Sequence, residues 1–369
     1  MGILLNTTEF PSDQLLAVYH VYEYAIFVFT FVVVGYTLTV IFMTSAKGLS
    51  KYKWYLVHGL VWGICFDAMA GLIGAVTLFP IPCYYGINVS ASIGGKLQMV
   101  YFFVGVNCAM GKAYATLIQF EYRFQQALPL DSWYRTRLGF LHGKYELTIC
   151  VVFYCFILLT LYTPWIAYFP NQEDQRSFLS NMDPVVAMVY TRHPNTICFA
   201  SGLSNLAVNI FAFWMFFYAF SEMTLLVFIH LSIHRQKLKA QTYRLQIMLF
   251  WSLTAQMAAF ITFFVAPGIL FLAGGSCGIR NMPRITVYCF FFFVTHTTVD
   301  SFLILYFIKP YRQAVFHVFG RYIDLKGIKI VYPRLYSSTA EATTVTVQGK
   351  KERPTPTPPH RNDLYPLCK

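Results

Sequence analysis

The chain has 369 residues and a formal net charge of +12; 57 % of the residues are hydrophobic and only 12 % are charged. That charged share is about half of what soluble proteins carry, and 36 Phe with 26 Tyr leave too little polar surface to cover the chain in water. The composition therefore excludes a pair of soluble domains and predicts an integral membrane protein.

Seven apolar runs are long enough to cross a bilayer, whose hydrocarbon core requires about 20 residues of helix. In chain order they cover residues 25–43, 54–78, 97–120, 147–169, 203–229, 245–272 and 285–308. They predict an all-α membrane protein with a seven-transmembrane helix bundle over residues 25–308. Residues 1–24 form the segment before it.

The distribution of basic residues predicts how the bundle lies in the membrane. Most of the 28 Lys and Arg residues fall in the loops after spans one, three and five and after span seven. Because such residues favour the cytoplasmic side, we expect residues 1–24 outside and the carboxy terminus inside. The positive inner face suits anionic membrane lipid and cytosolic partners rather than nucleic acid. Two glycosylation sequons, at Asn6 and Asn88, fall in predicted outside segments.

The four residues Lys309 to Arg312 end the last span on the cytoplasmic side. Pro310 favours a turn there, and the apolar residues that follow recur at helical spacing. We therefore predict a short amphipathic helix in the membrane interface over residues 309–324. Residues 325–369 are rich in Ser, Thr, Pro and charge and are predicted to be a disordered cytoplasmic tail. Phosphorylation of this tail would recruit a desensitising partner; an inert tail is the alternative.

Polar side chains inside the spans are candidate functional residues, because burying them in a bilayer is costly. They are Asp67, Asn107, Lys112, Gln256, His296 and Asp300. A lysine within a span requires a partner, which Asp67 or Asp300 could supply. These residues predict a structural or switching network or, alternatively, direct ligand contacts. A membrane transporter or channel that uses Asp67, Lys112 and Asp300 as a charge relay is a further alternative.

Near the predicted outer side, Asn205 and Asn209 are one helical turn apart in span five, and Trp165 lies at the end of span four. With Asn107, Gln256 and His296 they are candidate ligand contacts. Hydrogen bonding between helices explains the two asparagines equally well.

Several separated stretches resemble the nematode serpentine chemoreceptors of class H, more than those of sister class I. They are KYKWYLVHGLVWGICFD from Lys51, FEYRF from Phe120, QTYRLQIMLFWSLTAQ from Gln241 and HTTVDSFLILYFIKPYR from His296. The chain departs from the family pattern at His58, Leu60, Thr297 and Asp300, so its ligand cannot be transferred from a relative.

The resemblance implies a chemosensory G-protein-coupled receptor. Such a receptor binds an external small molecule and signals to a heterotrimeric G protein. It lies in the plasma membrane of sensory-neuron cilia. It is not an enzyme, and we find no convergent set of nucleophile, base or metal ligands. We expect no cofactor.

At the inner end of span three, Glu121 and Arg123 match the FEYRF signature of that family. Arg123 would be held by a partner on another helix and released on activation; a simple topology-setting arginine is the alternative. The basic residues on the same side would contact the G protein together with Arg123. They are Lys237, Lys239, Arg244 and Arg312.

Three of the nine cysteines lie near the predicted outer face: Cys83, Cys198 and Cys277. One disulfide among them is expected, and Cys83–Cys198 is the pairing we predict. No Cys-x-x-Cys pair is present, and no metal site is expected.

Overall fold

The structure is a computed structural model that describes residues 6–44, 50–92, 95–129, 131–138, 143, 145–167, 169–199, 206–236 and 240–324. The chain up to Arg321 belongs to one compact unit. Three predicted site residues, Asn205, Lys237 and Lys239, and the tail of residues 325–369 lie outside the described residues.

The described residues are mainly helical, with one small sheet. The helices are α1 Asp13–Met43, α2 Tyr52–Ile73, α3 Gly95–Ala127, α4 Trp133–Leu138, α5 Glu146–Ala167, α6 Gln172–Met182, α7 Pro184–Arg192, α8 Leu206–Arg235, α9 Ala240–Phe260, α10 Ala266–Ser276, α11 Met282–Phe307 and α12 Lys309–Asp324. The strands are β1 Ala75–Thr77, β2 Cys83–Gly86 and β3 Ile197–Cys198.

Seven spans build the bundle, which confirms the predicted seven-transmembrane fold. They are α1, α2, α3, α5, α8, α9 continued by α10, and α11. Within the described part of the chain, six of these spans are long and apolar enough to cross a membrane by length and composition alone. α3 is 33 residues long but less apolar, because it carries Lys112 and Arg123, both buried.

The second span ends earlier than its apolar run. α2 stops at Ile73 because Gly74 adopts a left-handed conformation with φ 56°, which glycine tolerates without strain. The remaining apolar residues form β1 instead of a further turn of helix. A short apolar run cannot be assigned to helix or buried strand from its periodicity alone, so the predicted end at residue 78 was wrong.

Span six changes helical type at its middle. A single π-helical turn, Ile261–Val265, joins α9 to α10, and the N–H of Ala266 bonds to the carbonyl of Ile261. Pro267 follows at once and has no N–H to donate into the preceding turn. The wider turn accommodates this loss.

A cap covers the outer side of the bundle. Its three strands pair antiparallel in the order β1-β2-β3, with Val76 opposite Tyr85 and Cys83 opposite Cys198. A disulfide joins Cys83 to Cys198, the pairing expected from the sequence. Gln172 of α6 exchanges two hydrogen bonds with the backbone of Cys198 (2.8 and 2.9 Å), which ties α6 to the sheet.

Replacing both Cys83 and Cys198 by serine is expected to lower the thermal unfolding temperature of the purified protein. The bridge closes a loop across 115 residues of sequence, and loss of a native disulfide typically removes about 2–5 kcal/mol. Cys277→Ser is the matched control, because Cys277 is exposed and unbridged. Equal unfolding temperatures for the double variant and the control would contradict a structural role for the bridge.

The predicted glycosylation of Asn88 conflicts with the structure. Its side chain is only 6 % exposed. Its Nδ2, the atom that a glycan would modify, donates to Glu23 Oε2 (2.6 Å) and to the carbonyl of Gly71 (2.8 Å). Its Oδ1 lies 2.6 Å from His20 Nδ1. Asn88 therefore joins α1, α2 and the cap. Asn6 is exposed, and its glycosylation stays a prediction.

Asn6→Gln is expected to increase the electrophoretic mobility of the protein expressed in animal cells, whereas Asn88→Gln is expected to leave it unchanged. The physical reason is access: the glycosylating enzyme reaches an exposed amide but not a buried, doubly bonded one. A glycosidase digest that abolishes the difference between wild type and Asn6→Gln supplies the control. A mobility shift for Asn88→Gln would show that the Asn88 side chain is accessible when the chain is modified.

The predicted amphipathic helix over residues 309–324 is present as α12. α11 ends at Phe307, and Pro310 stands in the first turn of α12, where its missing N–H costs no hydrogen bond. Tyr311 is buried against the bundle in a cluster with Leu305 and Ile308. The contact fixes the start of α12 beneath span seven.

Candidate functional site

A cavity of about 180 Å³ lies in the outer half of the bundle. Spans two to seven form its walls, and the cap forms its outer side. Nearly half of the lining residues are aromatic: Phe66, Phe79, Tyr84, Phe102, Trp165, Phe199, Phe211, Phe216, Phe264, Phe271, Phe290 and Phe293. An apolar cavity of this kind is the usual form of a small-molecule site.

Two residues of the cavity lining carry a buried polar atom that has no hydrogen-bond partner among the described residues. These atoms are Trp165 Nε1 and Thr77 Oγ1, and their side chains are 2 % and 4 % exposed. The Trp165 ring is held by stacking on Phe102, with 4.9 Å between centroids. Because an unpaired buried polar group is costly, both atoms are suited to bind a ligand.

The inner end of the cavity contacts a buried histidine. Phe264 lines the cavity, and its ring lies 6.0 Å from that of His296 on α11. His296 also packs edge-on against Phe260, at 5.7 Å. Asp300 follows His296 by four residues, so the two lie on one face of α11.

Below the cavity, Lys112 of α3 and Asp300 of α11 form a buried ion pair. Lys112 Nζ lies 2.6 Å from Asp300 Oδ2, and the lysine is 3 % exposed. Lys112 also donates to the carbonyl of Gly59 in α2 (3.3 Å). The structure thus selects Asp300 rather than Asp67 as the lysine's partner. Asp67 is buried as well and lies beside Thr297 of α11 instead.

A chain of hydrogen bonds continues from this ion pair towards the cytoplasm. Gln256 lies beside Asp300, and its Oε1 accepts a bond from Gln119 Nε2 (2.9 Å). The same Gln119 nitrogen donates to the hydroxyl of Tyr52 (2.9 Å). Spans two, three, six and seven therefore meet through one buried polar network.

The network ends at Arg123. Its guanidinium lies 5.0 Å from the centre of the Tyr52 ring, and Nη2 donates to Gln246 Oε1 of α9 (3.3 Å). Arg123 on α3 is thus in contact with α2 and α9. Glu121 instead accepts a hydrogen bond from Tyr134 of α4 (2.7 Å); burial and this bond raise the pKa of Tyr134.

The residues predicted to contact the ligand do not all line the cavity. Trp165 lines the cavity, whereas His296 and Gln256 belong to the polar network beneath it. Asn107 accepts a hydrogen bond from Tyr154 (3.0 Å) and lies outside the cavity lining. Asn209 is on an exposed face of α8. Neither Asn107 nor Asn209 lines this cavity, because spacing along a helix does not reveal which face turns inward. Asn107 lines a second pocket between α3 and α5, and the role of both residues as ligand contacts stays a prediction.

Besides Arg123, two of the predicted G-protein contacts lie among the described residues. Arg244 is exposed on α9. Arg312 donates to the carbonyl of Tyr306 (3.4 Å) and lies over that residue's ring. Both are at the end of the bundle where Arg123 lies.

The sequence reasoning missed several buried polar residues. Glu222 in α8 is fully buried and has no hydrogen-bond partner among the described residues. Because burying a charge in a membrane span is costly, a glutamate within this apolar run was the signal that could have found it. Gln119 and Tyr52 complete the polar network but look ordinary in sequence. His230 and His234 form a His-x-x-x-His pair on the exposed face of α8. No third metal ligand joins them within the described part of the chain.

The bundle, its apolar outer cavity and the buried arginine at its inner end are features of a seven-transmembrane receptor. A sequence model of the family described as serpentine type 7TM GPCR chemoreceptor Srh matches residues 16–321. The chain therefore belongs to this nematode chemoreceptor family, which confirms the resemblance to class H. No curated protein matches the chain. Membership of a receptor family weighs against a transport relay through Asp67, Lys112 and Asp300.

Proposed function

We propose that this receptor binds a small external molecule in the outer cavity and activates a heterotrimeric G protein at its cytoplasmic face. One observation carries the proposal: a series of buried side chains lies between the cavity and the inner arginine. Phe264 in the cavity lining touches His296, and the buried polar network leads from Asp300 to Arg123. Membership of the Srh family supports the same function.

The contacts of Arg123 suggest how a signal would pass. A ligand changes a conformational equilibrium only by binding one state better than the other. In the present state Arg123 is held between Tyr52 and Gln246, which keeps the inner ends of α2, α3 and α9 together. A ligand that moves Phe264 would disturb His296 and the network beneath it. Release of Arg123 would then open a surface for the G protein.

The basic residues around Arg123 supply the proposed contact surface for the G protein. Arg244 and Arg312 belong to it, together with Lys237 and Lys239. The same charges would hold the inner face against anionic lipid.

We further propose that the receptor acts in sensory-neuron cilia, where external chemicals are met, and that its tail recruits a desensitising partner. Imaging a carboxy-terminal fluorescent fusion in a living nematode tests the location.

Filling the cavity tests the binding site. A side chain added at Gly268 would meet only Phe293, 4.0 Å from its Cβ, so Gly268→Phe has room to enter the cavity. Expressed in a sensory neuron that otherwise ignores a panel of small odorants, the wild type is expected to confer calcium responses to some of them. Gly268→Phe is expected to abolish these responses at equal surface level.

Gly35→Phe is the matched control, because nothing lies within 4 Å of a Cβ added at Gly35 and the residue is on the exposed face of α1. This variant is expected to respond as the wild type does. Full responses from Gly268→Phe would show that the ligand binds elsewhere. Absence of any response from surface-delivered wild type would contradict the chemosensory function.

A further inference from the structure

We propose that the cavity binds a small lipophilic molecule carrying a hydrogen-bond acceptor, and that this molecule enters from the outer leaflet of the bilayer between α8 and α10. This inference rests on the proposed function for the identity of the cavity as the ligand site. It adds the chemical class of the ligand and the path by which it arrives.

The polarity of the cavity defines the ligand class. Among the described residues its lining has no charged side chain, so a charged ligand would be left without a counter-ion there. Tyr84 already donates its hydroxyl hydrogen to the carbonyl of Gln98 (3.1 Å). In the described part of the lining, the polar atoms without a partner are the indole N–H of Trp165 and the hydroxyl of Thr77. Both can donate, so a ketone, ester or ether oxygen would satisfy them.

The volume limits the size of the ligand. The cavity measures about 180 Å³, and an engineered apolar cavity of about 150 Å³ holds benzene. A substituted single ring or a short branched chain therefore fits. Molecules of this size and polarity dissolve in the bilayer, so the membrane would concentrate them next to the receptor.

The cap blocks the direct path from outside. Phe79, Tyr84 and Phe199 form the outer side of the cavity, and all three are buried. The disulfide Cys83–Cys198 is directly adjacent to Tyr84 on one strand and to Phe199 on the other. Within the described residues, the outer side of the cavity is thus closed by aromatic rings on a cross-linked sheet.

The side of the bundle is less closed. Among the residues that line the cavity, Phe216 of α8 and Ile269 of α10 are 49 % and 41 % exposed. Both are apolar and lie within membrane spans, so the surface they expose faces lipid. A lipophilic molecule in the outer leaflet can reach the cavity between these two side chains without crossing the cap.

The ligand class is tested with acetophenone and ethylbenzene, which share a shape and differ in the ketone oxygen. Binding to the purified receptor in lipid nanodiscs is measured as thermal stabilisation at equal concentration in the membrane. Wild type is expected to bind acetophenone about tenfold more tightly, because a buried donor gains its missing partner. Trp165→Phe and Thr77→Val should each reduce this preference, whereas Trp214→Phe, a buried tryptophan outside the cavity, should keep it.

Equal affinity for the two compounds in wild type, or an undiminished preference in both cavity variants, would overturn the assignment of the ligand class. Lack of stabilisation by either compound would overturn it as well.

The path is tested through exchange kinetics. Ile269→Trp narrows the gap between α8 and α10, so it is expected to slow association and dissociation of 4-fluoroacetophenone by one common factor and to leave Kd unchanged. Fluorine NMR line shapes in nanodiscs report both rates. Leu270→Trp is the control, since Leu270 is similarly exposed beside Ile269 but does not line the cavity. Exchange rates of Ile269→Trp equal to those of wild type would overturn entry through this gap.

These measurements use the receptor without a G protein. Binding with the expected preference but without any signalling would therefore sustain the assignment of the ligand class and path and contradict the proposed function. Conversely, cavity-dependent odorant responses to compounds that carry no hydrogen-bond acceptor would sustain the proposed function and contradict the assigned ligand class.

Discussion

Lys112→Met is expected to destabilise the receptor by about 3–5 kcal/mol, because it leaves a buried carboxylate without its partner. Asp300 lies in the interior of the bundle, and its Oδ2 is 2.6 Å from the lysine nitrogen that the substitution removes. The variant should reach the cell surface poorly and unfold at a lower temperature in detergent. Thermal unfolding followed by intrinsic fluorescence measures the effect.

Two further variants separate the loss of the pair from the loss of a lysine. Lys112→Met with Asp300→Leu removes both charges and is expected to recover most of the stability, since an apolar pair often replaces a buried ion pair without loss. Lys51→Met breaks a pair of the same length with Glu146, also at 2.6 Å, but Lys51 is largely exposed. It should cost no more than about 1 kcal/mol. A single Lys112→Met variant as stable as Lys51→Met would contradict the importance of the buried pair.

Arg123→Ala is expected to abolish G-protein activation while leaving surface delivery intact. The substitution removes the guanidinium that contacts Tyr52 and Gln246, and with it the proposed switch at the inner ends of three helices. Ligand-stimulated nucleotide exchange on a purified G protein, normalised to surface-labelled receptor, measures the loss. Odorant responses of the sensory neuron supply a second readout.

Arg137→Ala is the matched control for this prediction. Arg137 is an exposed arginine of α4 on the same side of the membrane, so its removal changes the charge without touching the network. It should signal as wild type does. Unchanged signalling by Arg123→Ala would favour the alternative that Arg123 only sets topology.

The number and orientation of the spans could be predicted from the sequence because both depend on one-dimensional quantities. The length of an apolar run determines whether a segment crosses the bilayer. The loops that carry most of the Lys and Arg determine which end of each span faces the cytoplasm. Because an unpaired lysine in the membrane is costly, the sequence also predicted that Lys112 has an acidic partner. The sequence left Asp67 and Asp300 as alternatives, since only the packing of α3 against α11 brings Asp300 to the lysine.

The cavity residues were harder to find. In the sequence, the phenylalanines that line the cavity cannot be told from phenylalanines that face lipid. The rotation of each helix about its axis determines which of them face inward. Thus Phe211 faces the cavity while Asn209, two residues earlier, is exposed. Asn88 shows the same limit for the cap: a sequon reports local sequence, whereas the bonds to Glu23 and Gly71 that bury it depend on distant residues.

Coupling between the outer cavity and the G-protein surface is tested most directly by reciprocity. If both sites bias one equilibrium, a bound G protein must change ligand affinity by the factor by which the ligand changes G-protein affinity. The affinity of acetophenone would be measured in nanodiscs with and without nucleotide-free G proteins of each α-subunit class. We expect at least one class to tighten binding about 5- to 150-fold in wild type and none to do so in Arg123→Ala. An affinity that no G protein alters in wild type would contradict the coupling.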